Sequence, residues 1–306
     1  MSSPAPFRKI LLIGATGSIG QHILQALLTD PSLTITVLTR ASSTTTLPSN
    51  NNIRTVTVPD TYPTASLIPA FTGQDVVISC LTTLSTPHQL RLIDAAVAAG
   101  VRRYVPSEYG LNNARADAQA LCAVFAAKGA VQRYLRERED RIEWMSVSCG
   151  MWLRWSMAHD FLGMRVRERR FALWDGGRGR FSVTTEGETA KAVLRGLTER
   201  AEETRNRNVL VEEFVTTQAE LLAEIERQTG EKFEVEEVDG EERIRELQKA
   251  YEAGDESAVY GLIEAGFITG RYGGDLSKEG EIFTEKLGLK RHTLEEVVAD
   301  ALAHLK

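Results

Sequence analysis

Gly14-Ala-Thr-Gly17-Ser-Ile-Gly20 spaces three glycines as GxxGxxG, directly after the apolar run Lys9–Ile13. It opens a stretch that puts Ile19, Ile23, Leu24, Leu27 and Leu28 on one helical face. Strand, glycine turn, then amphipathic helix is the order a dinucleotide pyrophosphate requires. Gly14 permits the tight turn, Gly17 lets backbone approach the phosphates, and Gly20 allows helix and sheet to pack closely. The helix N-terminus adds N–H groups and the positive end of its dipole. An NAD site normally ends its second strand in Asp or Glu, which accepts from the ribose 2′-OH. Here that strand ends Val37-Leu-Thr-Arg40, a guanidinium suited to a 2′-phosphate, with no carboxylate to repel it. The pattern favours NADP(H) over NAD(H), with a solvated strand-end arginine as the plain alternative.

The second chemical candidate is Lys128. Leu121, Val124, Lys128, Val131 and Leu135 recur at helical spacing, so the lysine stands in the middle of an apolar stripe. An unpaired ammonium is expensive to bury, so such a side chain snorkels, pairs, or lines a polar cavity. Partial desolvation would bring it toward a useful acid–base range. No tyrosine has a lysine four residues on, so the Tyr-x-x-x-Lys pair of short-chain dehydrogenases is absent and Lys128 leads the proton-transfer candidates. The five histidines are scattered without HExxH, so no metal site is expected. There is no GxSxG elbow for a hydrolase. Cys80, Cys122 and Cys149 form no CxxC, which points to a reducing compartment, and Cys80 and Cys149, ending apolar runs, read as small hydrophobes.

These groups need a scaffold, and the first 150 residues supply one. Strands are expected at Lys9–Ile13, Thr34–Thr39, Ile53–Val58, Val76–Cys80, Arg103–Pro106 and Glu143–Ser148, with helices between them over 19–28, 88–99 and 118–138. The alternation predicts an α/β Rossmann-type, doubly wound parallel sheet with helices on both faces. Residues 1–150 form the dinucleotide domain; 151–306 form a smaller α+β substrate part with segments returning to pack on the first. Residues 151–180 read as irregular. Within them Arg165–Arg180 carries six arginines against two acids, read as a solvated surface or an oligomer contact rather than an anion site. Glu231–Glu252, nine acids against four bases, reads as helical with an exposed amphipathic face. Ser42–Asn52 reads as a surface loop.

Composition excludes several classes. The chain of 306 residues is 42% hydrophobic and 25% charged, which excludes disorder. A formal net charge of −6 gives no electrostatic footprint for nucleic acid. No apolar run approaches the ~18 residues of a membrane span, and the N-terminus carries no secretory h-region, so a cytoplasmic protein is expected.

With these residues in hand, the sequence resembles the NmrA-like branch of the atypical short-chain dehydrogenases, and within it the isoflavone reductase-like proteins. The resemblance rests on GATGSIG (14–20), Arg40, GQDVVIS (73–79), Gln89, GVRRYVPSEYG (100–110), which is similar to the family's GVKRFxPSEFG, and FAAKGAVQR (125–133), which is similar to its F-x-x-K helix. It implies that Gly14, Thr16, Gly17, Ser18 and Ile19 line the pyrophosphate and Arg40 the 2′-phosphate. It places Ser79, Cys80, Leu81 and Thr82 toward the cofactor ribose and nicotinamide, and Ser107, Glu108 and Tyr109 beside the nicotinamide. Lys128 would face both cofactor ribose and substrate, and Met151, Trp152 and Trp155 would form an apolar wall of the substrate pocket. The implied activity is NADPH-dependent reduction of a small, apolar, aromatic substrate of secondary-metabolite type, with Lys128 as the acid/base. A non-enzymatic NADP(H)-sensing regulator and a cofactor-retaining isomerase or epimerase are the alternatives. Oligomeric state stays open, a homodimer included.

Overall fold

Four of the five residues of β1 (Lys9–Ile13) are fully buried, as a strand covered on both faces demands. It pairs in parallel with β2 (Thr34–Arg40) on one side and β4 (Val76–Ser79) on the other. β3 (Ile53–Val58) extends the sheet beyond β2, and β5 (Arg103–Val105) and β6 (Glu143–Ser148) extend it beyond β4, all in parallel. With β10 (Arg207–Leu210) outside β6, the seven-stranded order is β10-β6-β5-β4-β1-β2-β3. The order reverses at β1, so the ends of β1 and β4 form the crevice where a doubly wound sheet takes its ligand. The computed structural model describes residues 5–44, 46–82, 85 and 88–305.

The chain divides into two compact units. The first contains the segment ending at Glu108, Ala127–Val147 and Thr189–Val209; the second contains Tyr109–Ala126, Ser148–Glu188 and the chain from Leu210 onward. The first holds the large sheet with α1 (Gly20–Leu28), α2 (Thr64–Phe71), α3 (His88–Ala98) and α7 (Glu186–Thr198), the last beginning three residues ahead of it. Its core includes Leu11, Ile13, Phe71, Leu92, Tyr104, Leu135 and Trp144. Arg103 is fully buried there and donates to the Glu143 carboxylate from Nε at 3.0 Å and Nη2 at 2.7 Å.

In the second unit, β8 (Arg170–Trp174) runs antiparallel to β7 (Met164–Arg165) and parallel to β12 (Glu234–Val238). β9 (Arg180–Val183) pairs antiparallel with β11 (Phe214–Thr217). Around them lie α6 (Leu153–Ala158), α8 (Gln218–Thr229), α9 (Gly240–Glu252), α10 (Ala258–Ile268) and α11 (Leu294–Ala303), closing on Phe171, Phe181, Leu221, Ile225 and Val298. Capping boxes at Thr217 and Thr293 start α8 and α11.

Three expectations need correction. The helix expected over 118–138 is two, α4 (Ala116–Leu121) and α5 (Ala123–Arg136), because Cys122 turns extended at φ −146° and ψ 131° while burying its thiol. Leu121 therefore sits on a different helix from Lys128. Residues 151–180, expected to be irregular, contain α6 and parts of both small sheets. The acidic stretch expected to be helical from Glu231 begins with strand β12, and only from Gly240 does it form a helix, capped by Asp239. The physical reason lies across the sheet: β12 lies in register against β8, and Arg169 and Arg170 pair with Glu231 and Glu234 at 3.1 and 3.5 Å. Two arginines of the basic segment thus meet two acids of the acidic one within one unit.

Candidate active site

The glycine turn is tight because two of its glycines press directly on neighbouring backbone. Gly14 has φ +76°, and a Cβ there would lie 2.5 Å from the Cys80 carbonyl oxygen. A Cβ on Gly20 would lie 1.9 Å from the Gly14 carbonyl oxygen. These two glycines are required by the protein's own backbone. Gly17 differs: a Cβ there would meet nothing nearer than 3.4 Å, so the fold itself leaves room for a side chain. A glycine that internal packing does not require fits a position reserved for close approach by something outside the chain. The N-cap of α1, Ile19, makes no side-chain cap, and no acidic residue occupies the first turn, so the positive helix end stays uncompensated. The residues present fit a dinucleotide pyrophosphate.

From this turn a contiguous set of contacts runs along the strand ends. Cys80 donates its backbone N–H to Ile13 at 2.9 Å. The next carbonyl, Leu81, accepts from the Ser107 hydroxyl at 2.7 Å. Ser107 N–H donates to buried Gln89 Oε1 at 2.7 Å, and Glu108 N–H to Pro106 at 2.9 Å, fixing the turn after β5. On the carbonyl of Glu108 sits the half-buried Lys128 ammonium, donating at 2.6 Å, a charge-assisted bond. Glu108 is 1% exposed, and its carboxylate accepts from Gln132 Nε2 at 2.9 Å. Sequence reading brought out Lys128 and Glu108 but not Gln132, which lies one turn beyond Lys128 on α5. Only the pairing of a buried glutamine with a buried glutamate, 24 residues apart in sequence, makes it visible.

The remaining expected residues are distributed as follows. The Ser79 side chain is fully buried in the sheet beside Tyr104, whose phenol is pushed up by burial. Thr82 and Ser85 approach each other through their hydroxyls at 3.1 Å. Arg40 is exposed at the end of β2. A carboxylate does stand near it, contrary to the sequence reading: Asp60, two residues past β3, takes the Ser42 N–H at 3.1 Å. The Ser42 side chain and amide, with a smaller contribution from Arg40, hold the Asp60 carboxyl below the usual range. The strand end itself carries no acid; the acid comes from its neighbour in the sheet, which the sequence of β2 does not reveal.

Tyr109, with φ +32°, begins the second unit, where Met151, Trp152 and Trp155 also lie. Met151 is a core residue whose N–H donates to Ser182 at 2.9 Å. Trp155 stacks on His159 at 4.4 Å between centroids and meets Phe161 edge-on at 5.4 Å. Trp152 is half-buried ahead of α6. Among the described residues no group of His, Cys, Asp and Glu could hold a metal ion, and no helix is long and apolar enough to cross a membrane.

This sheet order, with a glycine turn at its reversal, defines a Rossmann-type dinucleotide fold, and a lysine of α5 is bonded to the turn that follows its fifth strand. Residues 6–298 match the NmrA-like family, and the chain belongs to that family. It is 33% identical to oxidoreductase aprR of Aspergillus flavus over 96% of this chain and 98% of that protein. A crystal structure of isoflavone reductase superposes with a TM-score of 0.76 at 20% identity, covering 96% of this chain and 99% of that one. The leucoanthocyanidin reductase–NADPH complex from Vitis vinifera gives 0.76 at 17% identity, with the same coverage.

Proposed function

We propose that this protein is an NADPH-dependent oxidoreductase that reduces a small, apolar, aromatic substrate at an electron-poor carbon. The observation that carries the reading is the Lys128 ammonium, held on the Glu108 carbonyl in a set of contacts continuous with the glycine turn. The oxidoreductase aprR, similar over nearly its whole length, and the NADPH bound by the leucoanthocyanidin reductase support the same class. The names of isoflavone reductase and leucoanthocyanidin reductase support an aromatic substrate.

NADPH supplies a hydride at its nicotinamide when bound. The work of this chain is to place and protect. Gly14, Thr16, Gly17, Ser18 and Ile19 would hold the pyrophosphate against the start of α1, and Arg40 the 2′-phosphate. Backbone at Ser79, Cys80, Leu81 and Thr82, together with Ser107, Glu108 and Tyr109, would border the nicotinamide and its ribose. Lys128 would hold a proton at Nζ for the oxygen on which negative charge develops. A preorganised donor of this kind lowers the barrier by roughly 2.7–4 kcal/mol. Met151, Trp152 and Trp155 would offer apolar surface to the substrate.

The experiment is NADPH oxidation with a panel of aromatic enones, quinones and ketones, comparing the native protein with Lys128→Met. The expected result is a kcat lowered on the order of 100-fold or more, with NADPH affinity within a few-fold. Equal turnover by the variant would remove Lys128 from the reaction.

A further inference from the structure

We propose that Glu264 is a positioning residue for the aromatic wall at Trp155: its carboxylate grips the turn after α6 and so holds Phe161 edge-on against the indole. The inference deepens the reading of Trp155 as a surface offered to substrate and rests on it. α6 ends at Ala158, and the chain then doubles back through Asp160 (φ +52°), Leu162 (φ +60°) and Gly163 (φ +76°). Left-handed backbone suits a glycine but is unfavourable for a leucine, which keeps it only where its surroundings impose it. The turn brings the buried Phe161 ring to the edge of Trp155, which also stacks on His159.

The hydrogen bonds of the turn come from two sides. Its carbonyls are held by the small sheet and α8: Ala172 N–H donates to Gly163 at 2.9 Å, and Gln218 Nε2 to Leu162 at 2.8 Å. Its N–H groups turn to α10. Glu264 Oε1 accepts from Leu162 N–H at 2.8 Å, and the Gly163 N–H also bonds this carboxylate. Two successive N–H groups aimed at one anion form a nest, and a carboxylate suits it by offering two acceptors and no donor. Glu264 does not stand there as half of an ion pair. Of the cations that act on it, Arg165 lies 3.9 Å from Glu168 and Arg243 lies 3.1 Å from Glu246. Burial pushes its carboxyl up, and the bonds to the turn offset that only in part. The Leu162 N–H belongs to the peptide that follows Phe161, whose carbonyl takes Met164 N–H at a long 3.3 Å. Phe161 N–H is fixed on the Ser156 carbonyl at 2.9 Å, so relaxation passes through the peptide after it. Without Glu264 that peptide rotates out of its left-handed setting, and the Phe161 ring shifts from the indole edge.

The test reads the Trp155 ring directly. Full-length protein is labelled with nitrogen-15 at tryptophan Nε1, and the Trp155 signal is assigned by its disappearance in Trp155→Phe. Spectra are taken at about pH 8, where the Glu264 carboxyl, pushed up to about 7, is ionised. Phe161→Leu gives the position of an indole that has lost its edge partner. In Glu264→Leu the expected result is a Trp155 signal displaced toward that position, with the signal of Trp144, in the other unit, unmoved. Glu264→Gln provides the second variant should the first fail to fold: one oxygen must then serve two N–H groups, and the displacement has the same direction. A Trp155 signal that stays with the native one, or moves away from the Phe161→Leu position, overturns the proposal. KM for the aromatic compound that the native protein reduces should rise several-fold in Glu264→Leu, as in Trp155→Ala, with a smaller change in kcat. A KM raised by Trp155→Ala but not by folded Glu264→Leu overturns the proposal equally. If Trp155→Ala keeps the native KM, the reading of Trp155 as substrate wall fails while its signal still reports the hold of Glu264, so the two failures are separable.

Discussion

Gly17→Ala separates what the glycine turn does for the fold from what it does for a ligand. A methyl at position 17 would stand 3.4 Å from the Gly14 carbonyl oxygen and 3.9 Å from that of Cys80, ordinary contact distances. Position 17 is not among the glycines with positive φ, so its backbone is open to alanine. Replacing a glycine at such a position stabilises by about 0.4–1 kcal/mol through the unfolded chain. The ligand-free variant should therefore melt no lower than the native protein. Bound pyrophosphate would meet the same methyl, and forcing an anion off one charge-assisted hydrogen bond costs about 1.5–3 kcal/mol. That is roughly a tenfold to hundredfold loss of NADPH affinity. Gly20→Ala is the contrasting control: its Cβ would sit 1.9 Å from a backbone oxygen, so it should lower the melting temperature with or without ligand. Calorimetric titration with NADPH, alongside thermal melting, reads both quantities. A folded Gly17→Ala that binds NADPH as tightly as the native protein would refute the placement of the pyrophosphate on this turn.

Two further outcomes are expected. Asp60→Asn keeps an acceptor for the Ser42 amide but removes a negative charge from the neighbourhood of Arg40, so the preference for NADPH over NADH should rise several-fold at low salt and less at high salt; an unchanged ratio of dissociation constants would place the 2′-phosphate elsewhere. Glu264 accepts from the Leu162 N–H at 2.8 Å, yet burial pushes its carboxyl up from 4.5 to about 7. Because the folded value is the higher one, the associated stability is complete below about 4.5 and is lost as pH rises through about 7, a swing of ~3 kcal/mol. Glu264→Gln should flatten that dependence in denaturant titrations; an unaltered slope would assign it to other groups.

Six strands of the central sheet were legible because they are short apolar runs with turn residues between them; the seventh, β10, comes from the part expected to bind substrate and was not. Lys9–Ile13, Ile53–Val58 and Glu143–Ser148 agree with the observed strands to the residue, and the others differ by one at the C-terminal end. Where sequence reading failed, a partner remote in sequence decided the outcome. β12 is a strand because β8 offers it an edge and arginines, neither of which periodicity can register. The stripe through Leu121 and Lys128 suggested one helix because spacing alone does not detect the extended backbone at Cys122. The same limit governs the candidate site. A glycine turn and a lysine on an apolar face carry their own signal, whereas the hydrogen bonds of Gln132 and Asp60 join residues 24 and 18 positions apart.

The chain passes between its two units five times, at 108/109, 126/127, 147/148, 188/189 and 209/210. Its large sheet gains its last strand only at Arg207–Leu210, laid beside β6, where Asn206 and Trp144 exchange hydrogen bonds. During synthesis the nascent polypeptide must therefore keep an unfinished hydrophobic edge for as long as ribosomes take to add about sixty more residues, some 3–12 seconds at 5–20 residues per second. Such an intermediate is exposed to aggregation and to chaperones, and no simple truncation between residues 148 and 206 would yield a soluble nucleotide-binding fragment.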